Sequence, residues 1–234
     1  MFEISRLVET ELQIWKDKPH RMPLLVRGAR QIGKSHVIEA FGRAHFNNTV
    51  VVNLEQNPAL IRIFETLNPK QIVAALSAVL DAQIMPGKTL LFIDEIQVSP
   101  KAIMSLRYFY EQYSELHVIA AGSLLEFTLT DETFSMPVGR VEYLYMLPVT
   151  LREYCQSVEG AEFIKYLSKI NVGDTIPDAI HQKGLEITKH YCLLGGMPKV
   201  LSVYQATNDL KSCQSVQAQI LNTYRDDFRK YGKR

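Results

Sequence analysis

A glycine-containing segment near the N-terminus constrains this chain more than any other part of its sequence. Residues 28–35 read GARQIGKS and match the pattern G-x-x-x-x-G-K-[ST] at every fixed position. The apolar run PLLV precedes the segment at 23–26, and a helical pattern with apolar residues on one face follows it at 34–45. This order of strand, glycine loop and helix is typical of a loop that surrounds a phosphate group.

The residue types of the segment each suit phosphate binding. Gly28 and Gly33 let backbone N–H groups approach a phosphate without an intervening Cβ. The following helix directs its positive dipole end at the anion, Lys34 adds a cation, and Ser35 offers a hydroxyl to Mg²⁺. The alternative is a glycine-rich turn with a solvated lysine. The predicted nucleotide-binding residues are Gly28, Ala29, Arg30, Gln31, Ile32, Gly33, Lys34 and Ser35, although the sequence does not decide whether Arg30 faces phosphate or solvent.

A second segment, LLFIDE at 90–95, is an apolar strand that ends in two carboxylates. Carboxylates at the exit of a buried strand need a partner, and a metal-bound phosphate supplies one. Asp94 is predicted to bind Mg²⁺, and Glu95 is predicted to orient and deprotonate an attacking water molecule. Alone, the pattern also fits a helix N-cap.

Two further candidate catalytic residues are Ser123 and Arg140. Ser123 follows the apolar run HVIAA at 117–121 and is predicted to contact the terminal phosphate or the water; the alternative is a helix cap before Leu124. Arg140 lies between an aperiodic segment at 128–139 and a predicted strand at 141–146. It is predicted to stabilise phosphoryl charge in its own site or in a neighbouring subunit, and the alternative is a surface arginine that pairs with Glu142 or a similar carboxylate.

The order of apolar runs and helical patterns predicts an α/β fold with five strands. Runs without polar alternation, such as TLLFI and HVIAA, are typical of parallel strands buried on both faces. After Pro148 only helical patterns appear, so a boundary is expected near 148–158. The predicted strands lie at 23–26, 49–54, 89–93, 117–121 and 141–146, and the main helices at 3–17, 34–45, 58–67, 69–80, 102–113, 150–157, 161–170, 178–194 and 209–230.

Composition excludes several classes of protein. Hydrophobic residues make up 47% of the 234 residues and charged residues 22%, which excludes wholesale disorder. Because 26 basic residues balance 25 acidic ones, bulk charge supports neither nucleic acid nor an anionic membrane as a partner. No signal peptide or membrane span is expected. Three widely spaced cysteines indicate free thiols in a reducing cytoplasm.

Five segments, in this order, resemble a prokaryotic family of AAA-type P-loop ATPases: RGARQIGKS, LLFIDEIQ, HVIAAGSLLEF, PVGRVEYLYMLPVTLREY and YCLLGGMPKVL. The resemblance covers nearly the whole chain. It implies a three-layer P-loop NTPase fold with a parallel five-stranded sheet in the order 5-1-4-3-2. It also implies phosphate and Mg²⁺ binding at Lys34 and Ser35, Mg²⁺ binding at Asp94, a catalytic base at Glu95, and roles for Ser123 and Arg140.

The resemblance also bears on domain organisation. We expect an AAA-type ATPase domain at 1–155 and a helical region at 156–234, which is either a lid or the start of a truncated second domain. Members of the family usually continue into a domain that resembles a restriction endonuclease. This sequence stops soon after YRDD at 224–227, so a fragment and a naturally short member are both open, and no function of that domain is carried over.

The expected function is Mg²⁺-dependent binding and hydrolysis of ATP, coupled to an unknown protein client. Whether the chain also forms a homo-oligomer is left open by the sequence. GTP is less favoured because no N-K-x-D segment is present. The rival hypothesis is an ATP-gated interaction module with little turnover, since the same residues would bind the nucleotide. A DNA-associated ATPase would need a basic stripe that this near-neutral sequence does not display.

Overall fold

The computed structural model describes residues 4–123 and 139–231 and divides the chain into two compact units. One unit is Val8–Met146; the other combines Met1–Leu7 with Leu147–Arg234. The sequence placed the boundary between residues 155 and 156, which lies within a helix of the second unit. The structural division comes earlier because Val149, Tyr154 and Cys155 pack into the hydrophobic cluster of the second unit. The functional assignment of the two regions stays a prediction.

The first unit contains a parallel five-stranded sheet in the order β2-β3-β4-β1-β5. Strands β3 and β4 are buried along their whole length, as expected from their uninterrupted apolar runs. The α/β class and the strand order implied by the resemblance are thereby confirmed. The strands are β1 (Leu24–Arg27), β2 (Asn48–Asn53), β3 (Thr89–Asp94), β4 (His117–Gly122) and β5 (Glu142–Tyr145).

Helices cover both faces of this sheet. Side chains alternate between the faces, so Leu91 and Ile93 of β3 pack with Phe64, Ile72 and Phe109 on one face. On the opposite face, α2 packs against β2, β3 and β4. The described helices are α1 (Val8–Asp17), α2 (Lys34–His45), α3 (Pro69–Leu80) and α4 (Pro100–Gln112), with 3₁₀ helices at Pro58–Thr66, where a helix was predicted at 58–67, and at Ile96–Val98.

The described part of the second unit, residues 4–7 and 147–231, has helices as its regular structure, which confirms the predicted helical C-terminal region. Thr150 and Glu153 form a reciprocal capping box at its first helix, and a buried ion pair joins Arg6 Nε to Glu153 Oε1 at 3.1 Å. The core of the unit includes Tyr154 and Leu201. Its helices are α5 (Leu151–Glu159), α6 (Ala161–Leu167), α7 (Asp178–Leu194), α8 (Pro198–Thr207) and α9 (Leu210–Tyr231).

Two further predictions concern the aperiodic segment at 128–139 and the absence of a membrane span. All but the last residue of the predicted aperiodic segment at 128–139 lies outside the described residues. Within residues 4–123 and 139–231, no helix is both long enough and apolar enough to cross a membrane.

His117, the first residue of β4, is buried among aromatic rings at the edge of the sheet opposite the glycine loop. Its ring meets those of Trp15 and Phe46 edge-on, with centroids 5.9 and 4.8 Å apart. Arg21 Nη2 lies 3.0 Å from His117 Nδ1. Burial, with the charge of Arg21 as a second cause, lowers the pKa of His117 from 6.5 to about 4. The imidazole is therefore neutral in the folded protein at neutral pH.

This lowered pKa predicts a loss of stability in acid. The unfolded chain binds a proton at His117 near pH 6.5, whereas the folded chain does so only near pH 4. Neutral His117 therefore contributes about 3 kcal/mol to the free energy of unfolding above pH 6.5. This contribution is lost as the pH falls to 4. Denaturant unfolding of the wild type and His117→Gln at both pH values measures it. The difference in unfolding free energy between the two proteins should shrink in acid; an unchanged difference would contradict the prediction.

Candidate functional site

The carboxyl ends of three neighbouring strands bring the predicted site residues to one edge of the sheet. The glycine loop follows β1, Asp94 ends β3, and Ser123 follows β4. Because β4 lies between β3 and β1 and all strands run parallel, these three chain segments meet at the same edge. Ligand sites of open α/β sheets form at this edge.

The backbone of the loop has the conformation that its glycines predict. Gly28 has a φ of 147°, and a Cβ there would lie 2.6 Å from Ile32 Cδ1 and would also clash with the carbonyl oxygen of Met146. Gly33 adopts a left-handed φ of 92° and precedes α2 directly. Gln31 also has a positive φ, 64°, which is strained for a residue with a side chain.

The N-terminus of α2 is suited to an anion. The first turn of the helix contains no acidic residue, and within the described residues no side chain caps its N–H groups. These groups carry the positive end of the helix dipole and have no partner within the helix. The loop that precedes them keeps the space in front of the helix free of Cβ atoms at Gly28 and Gly33. Such an arrangement can accept a phosphate group.

Lys34 lies over this loop. Its side chain is buried, and Nζ donates hydrogen bonds to the backbone oxygens of Gly28 at 2.9 Å and Ala29 at 2.8 Å. The ammonium group is therefore held next to the loop backbone before any phosphate is considered. An anion in front of α2 would offer it a stronger, charge-assisted partner.

Ser35 and Asp94 are in direct contact. Ser35 Oγ donates a hydrogen bond to Asp94 Oδ2 at 2.8 Å, and Asn53 Nδ2 lies 3.5 Å from the same oxygen. Asp94 Oδ1 accepts from the backbone N–H of Glu95 at 3.0 Å. Burial raises the pKa of Asp94, and the hydrogen bond from Ser35 opposes part of that rise. Ser35 Oγ and Asp94 Oδ2 thus form a pair of oxygen ligands of the kind that hard cations prefer, beside the loop.

Glu95 occupies a strained backbone position next to this pair. Its φ of 52° and ψ of 43° are left-handed, a conformation that costs a non-glycine residue about 1 kcal/mol or more. The half-buried carboxylate accepts a hydrogen bond at Oε2 from Gln97 Nε2 at 2.6 Å. Such strain is concentrated at functional sites, because the local structure holds a side chain in one required direction.

Arg30 and Ser123 are joined across the site. Arg30 Nε donates to Ser123 Oγ at 3.2 Å, so the arginine packs along the end of β4 rather than extending into solvent. This contact connects the glycine loop to the strand that carries Ser123. The alternative of Ser123 as a helix cap concerns Leu124 and the residues after it, which lie outside the described residues.

The structure does not bring Arg140 to the loop of its own chain. Arg140 precedes β5, whose first residue pairs with Leu24 at the start of β1, whereas the loop follows the end of β1. At about 3.3 Å per residue, the length of β1 alone separates these two edges by about 10 Å. Arg140 Nε instead donates to Glu111 Oε1 at 3.0 Å, and Arg107 Nε does the same. These two hydrogen bonds hold the pKa of Glu111 below its usual value.

Two site residues were missed by the sequence analysis. Asn53 ends β2 and contacts Asp94, and its only signal was a polar residue that follows the apolar run VVV. Gln97 contacts the carboxylate of Glu95, and its position two residues further on gave no signal beyond the family segment LLFIDEIQ. Within the described residues, no group of three or more His, Cys, Asp or Glu side chains could hold a metal ion by itself.

Residues 20–155 match a family model described as an AAA domain. No curated protein matches the chain. Among matching solved structures is the Orc1 protein of Aeropyrum pernix in complex with DNA, at 16% identity and a TM-score of 0.43, over 93% of this chain and 66% of that chain. Since the family model matches more than half of the sequence, the chain belongs to the AAA-type family of P-loop ATPases.

Proposed function

We propose that this chain binds ATP with Mg²⁺ at the loop of residues 28–35, hydrolyses the bond between the β- and γ-phosphates, and couples hydrolysis to a protein client. The observation that carries the proposal is the 2.8 Å contact between Ser35 Oγ and Asp94 Oδ2, next to the N-terminus of α2. A hydroxyl and a carboxylate from two separate elements meet there beside the buried cation of Lys34.

The loop residues would hold the phosphates. Backbone N–H groups of the loop and of the first turn of α2 would donate to phosphate oxygens, and Lys34 would pair with the β- and γ-phosphates. In the structure Lys34 Nζ has two neutral carbonyl acceptors, at Gly28 and Ala29. Exchange of these for phosphate oxygens replaces neutral hydrogen bonds by charge-assisted ones, which supports tight nucleotide binding.

Ser35 and Asp94 fit Mg²⁺ by their chemistry. Mg²⁺ prefers oxygen ligands and is usually held by one or two protein groups together with substrate phosphates. When bound, Mg²⁺ supplies charge neutralisation at the phosphate oxygens. Asp94 would be ionised in that state, because a nearby cation favours the carboxylate and opposes the effect of burial on its pKa.

Glu95 would act as the general base. Its left-handed backbone turns it away from the line of β3, and Gln97 fixes one carboxylate oxygen at 2.6 Å. The other oxygen would accept a proton from the attacking water molecule. Ser123 and Arg30, joined at 3.2 Å, would contact the terminal phosphate or that water from the end of β4. A carboxylate in this position favours hydrolysis over transfer to another substrate.

Arg140 would act in the site of a neighbouring copy of the chain, since it lies at the opposite edge of its own sheet. Phosphate release per chain should then rise with protein concentration, and Arg140→Ala should reduce it about 1,000-fold, the scale known for trans-acting arginines. A mixture of Arg140→Ala with Lys34→Ala should regain activity, because one chain supplies an intact loop and the other an intact arginine. Activity independent of concentration, with an inactive mixture, would contradict this role.

The same assay tests the rival function, an ATP-gated interaction module. In that function the same residues would bind the nucleotide, and the Glu95 carboxylate would stay hydrogen-bonded to Gln97 without accepting a proton from water. In that function, binding would order neighbouring segments, and each chain would release at most one phosphate. Repeated turnover by the wild type would reject it.

A reducing, cytoplasmic setting is also part of the proposal. The three cysteines are free thiols: Cys155 and Cys213 are buried, and Cys192 is exposed. Burial raises the pKa of the thiols of Cys155 and Cys213, which keeps both in the unreactive protonated form at neutral pH.

A further inference from the structure

The second unit contains a cavity that the nucleotide site does not use. Its volume is about 630 Å³, and it lies between α5, α6, α7 and the segment that joins α6 to α7. This volume is within the range of small-molecule sites, about 300–1,000 Å³. Most of the lining is apolar and includes Cys155, Phe163, Leu167, Ile176, Ile180 and Leu185.

The apolar walls of the cavity are partly exposed to water. Leu151, Leu167, Ile176 and Leu185 all line it, and each is exposed to between 37% and 39%. Large apolar side chains that remain exposed around one concave surface are typical of binding sites. An apolar ligand would cover these side chains together.

Gly184 keeps this cavity open. It lies in the middle of α7 and lines the cavity, and a Cβ added there would meet no described atom within 4 Å. Its φ is not in the left-handed region, so the backbone does not require glycine. Because glycine is unfavourable in a helix interior, close packing or backbone strain would normally explain it. Neither is present at this position, and a larger side chain would take up cavity volume.

The polar part of the lining comprises a guanidinium, an imidazole and two hydroxyls, those of Arg152, His181, Ser168 and Thr188. Arg152 and His181 line the cavity and are exposed, and neither side chain has a hydrogen bond or ion pair with any residue in 4–123 or 139–231. No carboxylate is among the described lining residues. Nearby Glu159 is paired with Lys183, which leaves the guanidinium of Arg152 available to an anion.

We propose that this cavity binds a small amphiphile with an apolar chain and one anionic head group, such as a medium-chain carboxylate. The chain would lie against the apolar walls, and the head group would contact Arg152 and His181. Apolar burial would provide most of the affinity, and the guanidinium would select a charged head group over a neutral one. None of the described lining residues belongs to the loop of residues 28–35.

Calorimetric titration of the full chain with dodecanoate, below its micelle concentration, tests the proposal. We expect one dodecanoate per chain, and weaker binding of 1-dodecanol, which has the same chain without the charge. Arg152→Gln should weaken dodecanoate binding about fivefold and leave dodecanol binding unchanged. Gly184→Leu should weaken both ligands at least tenfold, whereas Gly184→Ala, which adds one methyl group, should have a small effect.

Control variants distinguish binding in this cavity from binding elsewhere on the chain. Leucine and alanine are better helix formers than glycine, so both Gly184 variants should unfold at or above the wild-type temperature. Lys34→Ala should leave dodecanoate binding unchanged. Equal binding by Gly184→Leu and the wild type would overturn the cavity as the site. If the wild type and Arg152→Gln each bind dodecanoate and dodecanol with equal affinity, the selection of an anionic head group by Arg152 would be overturned. The wild type could instead sediment with phosphatidylglycerol vesicles while Gly184→Leu does not. That result would show that the cavity residues bind a lipid surface, and it would overturn the small-molecule site.

Discussion

Glu95→Gln is expected to bind Mg-ATP as tightly as the wild type and to release phosphate at least 100-fold more slowly. Glutamine has the same size and can keep a hydrogen bond with Gln97, but its amide cannot take a proton from water. Removal of a general base costs about 10²–10⁴ in rate. Equilibrium ATP binding and multiple-turnover phosphate release, measured on the same preparation, give the two quantities.

Glu65→Gln is the matched control for this variant, since Glu65 is exposed on the 3₁₀ helix Pro58–Thr66 of the same unit. It should release phosphate at the wild-type rate. Wild-type turnover by Glu95→Gln would show that another group activates water. A wild type that is as slow as Glu95→Gln at every protein concentration would favour the ATP-gated module.

Lys34→Ala is expected to lose ATP binding, by about 100-fold or more in affinity. The buried ammonium is held against the loop backbone by hydrogen bonds to Gly28 and Ala29 at 2.9 and 2.8 Å. Its hydrogen bonds to phosphate would be charge-assisted and contribute about 1.5–3 kcal/mol each. Equilibrium titration with ATP measures the loss.

Lys70→Ala, which truncates an exposed lysine at the start of α3, provides the control and should bind ATP normally. Denaturant unfolding must accompany both titrations, because Lys34 is buried and its removal frees two backbone carbonyls. If Lys34→Ala is folded and binds ATP with wild-type affinity, the loop is not part of the binding site.

Local sequence pattern predicted the sheet and the loop well because both depend on short-range features. The runs TLLFI and HVIAA lack polar alternation, and both became strands buried on each face. The conformation of the loop follows from Gly28 and Gly33, where a Cβ would clash or the backbone is left-handed. These properties depend on a few adjacent residues.

Contacts between distant residues could not be predicted in the same way. The Arg30–Ser123 and Asn53–Asp94 contacts depend on which strands are neighbours and in what register. Arg140 pairs with Glu111 on α4, which agrees with the alternative of a surface arginine paired with a carboxylate, but Glu142, the carboxylate named from the sequence, binds Lys18. The domain boundary differed for a related reason. Val149 belongs to the second unit because it packs into the hydrophobic cluster of that unit, and its local sequence does not show this contact.

Calorimetric titration of the wild-type chain with ATP, in Mg²⁺ and in EDTA, tests the proposed nucleotide site most directly. The contact between Ser35 and Asp94 at the N-terminus of α2 predicts one ATP per chain, bound more tightly in Mg²⁺ than in EDTA. A chain that is folded by circular dichroism and binds no ATP under either condition would contradict the proposed function. Binding that is equally tight in Mg²⁺ and EDTA would contradict the assignment of Ser35 and Asp94 to the metal.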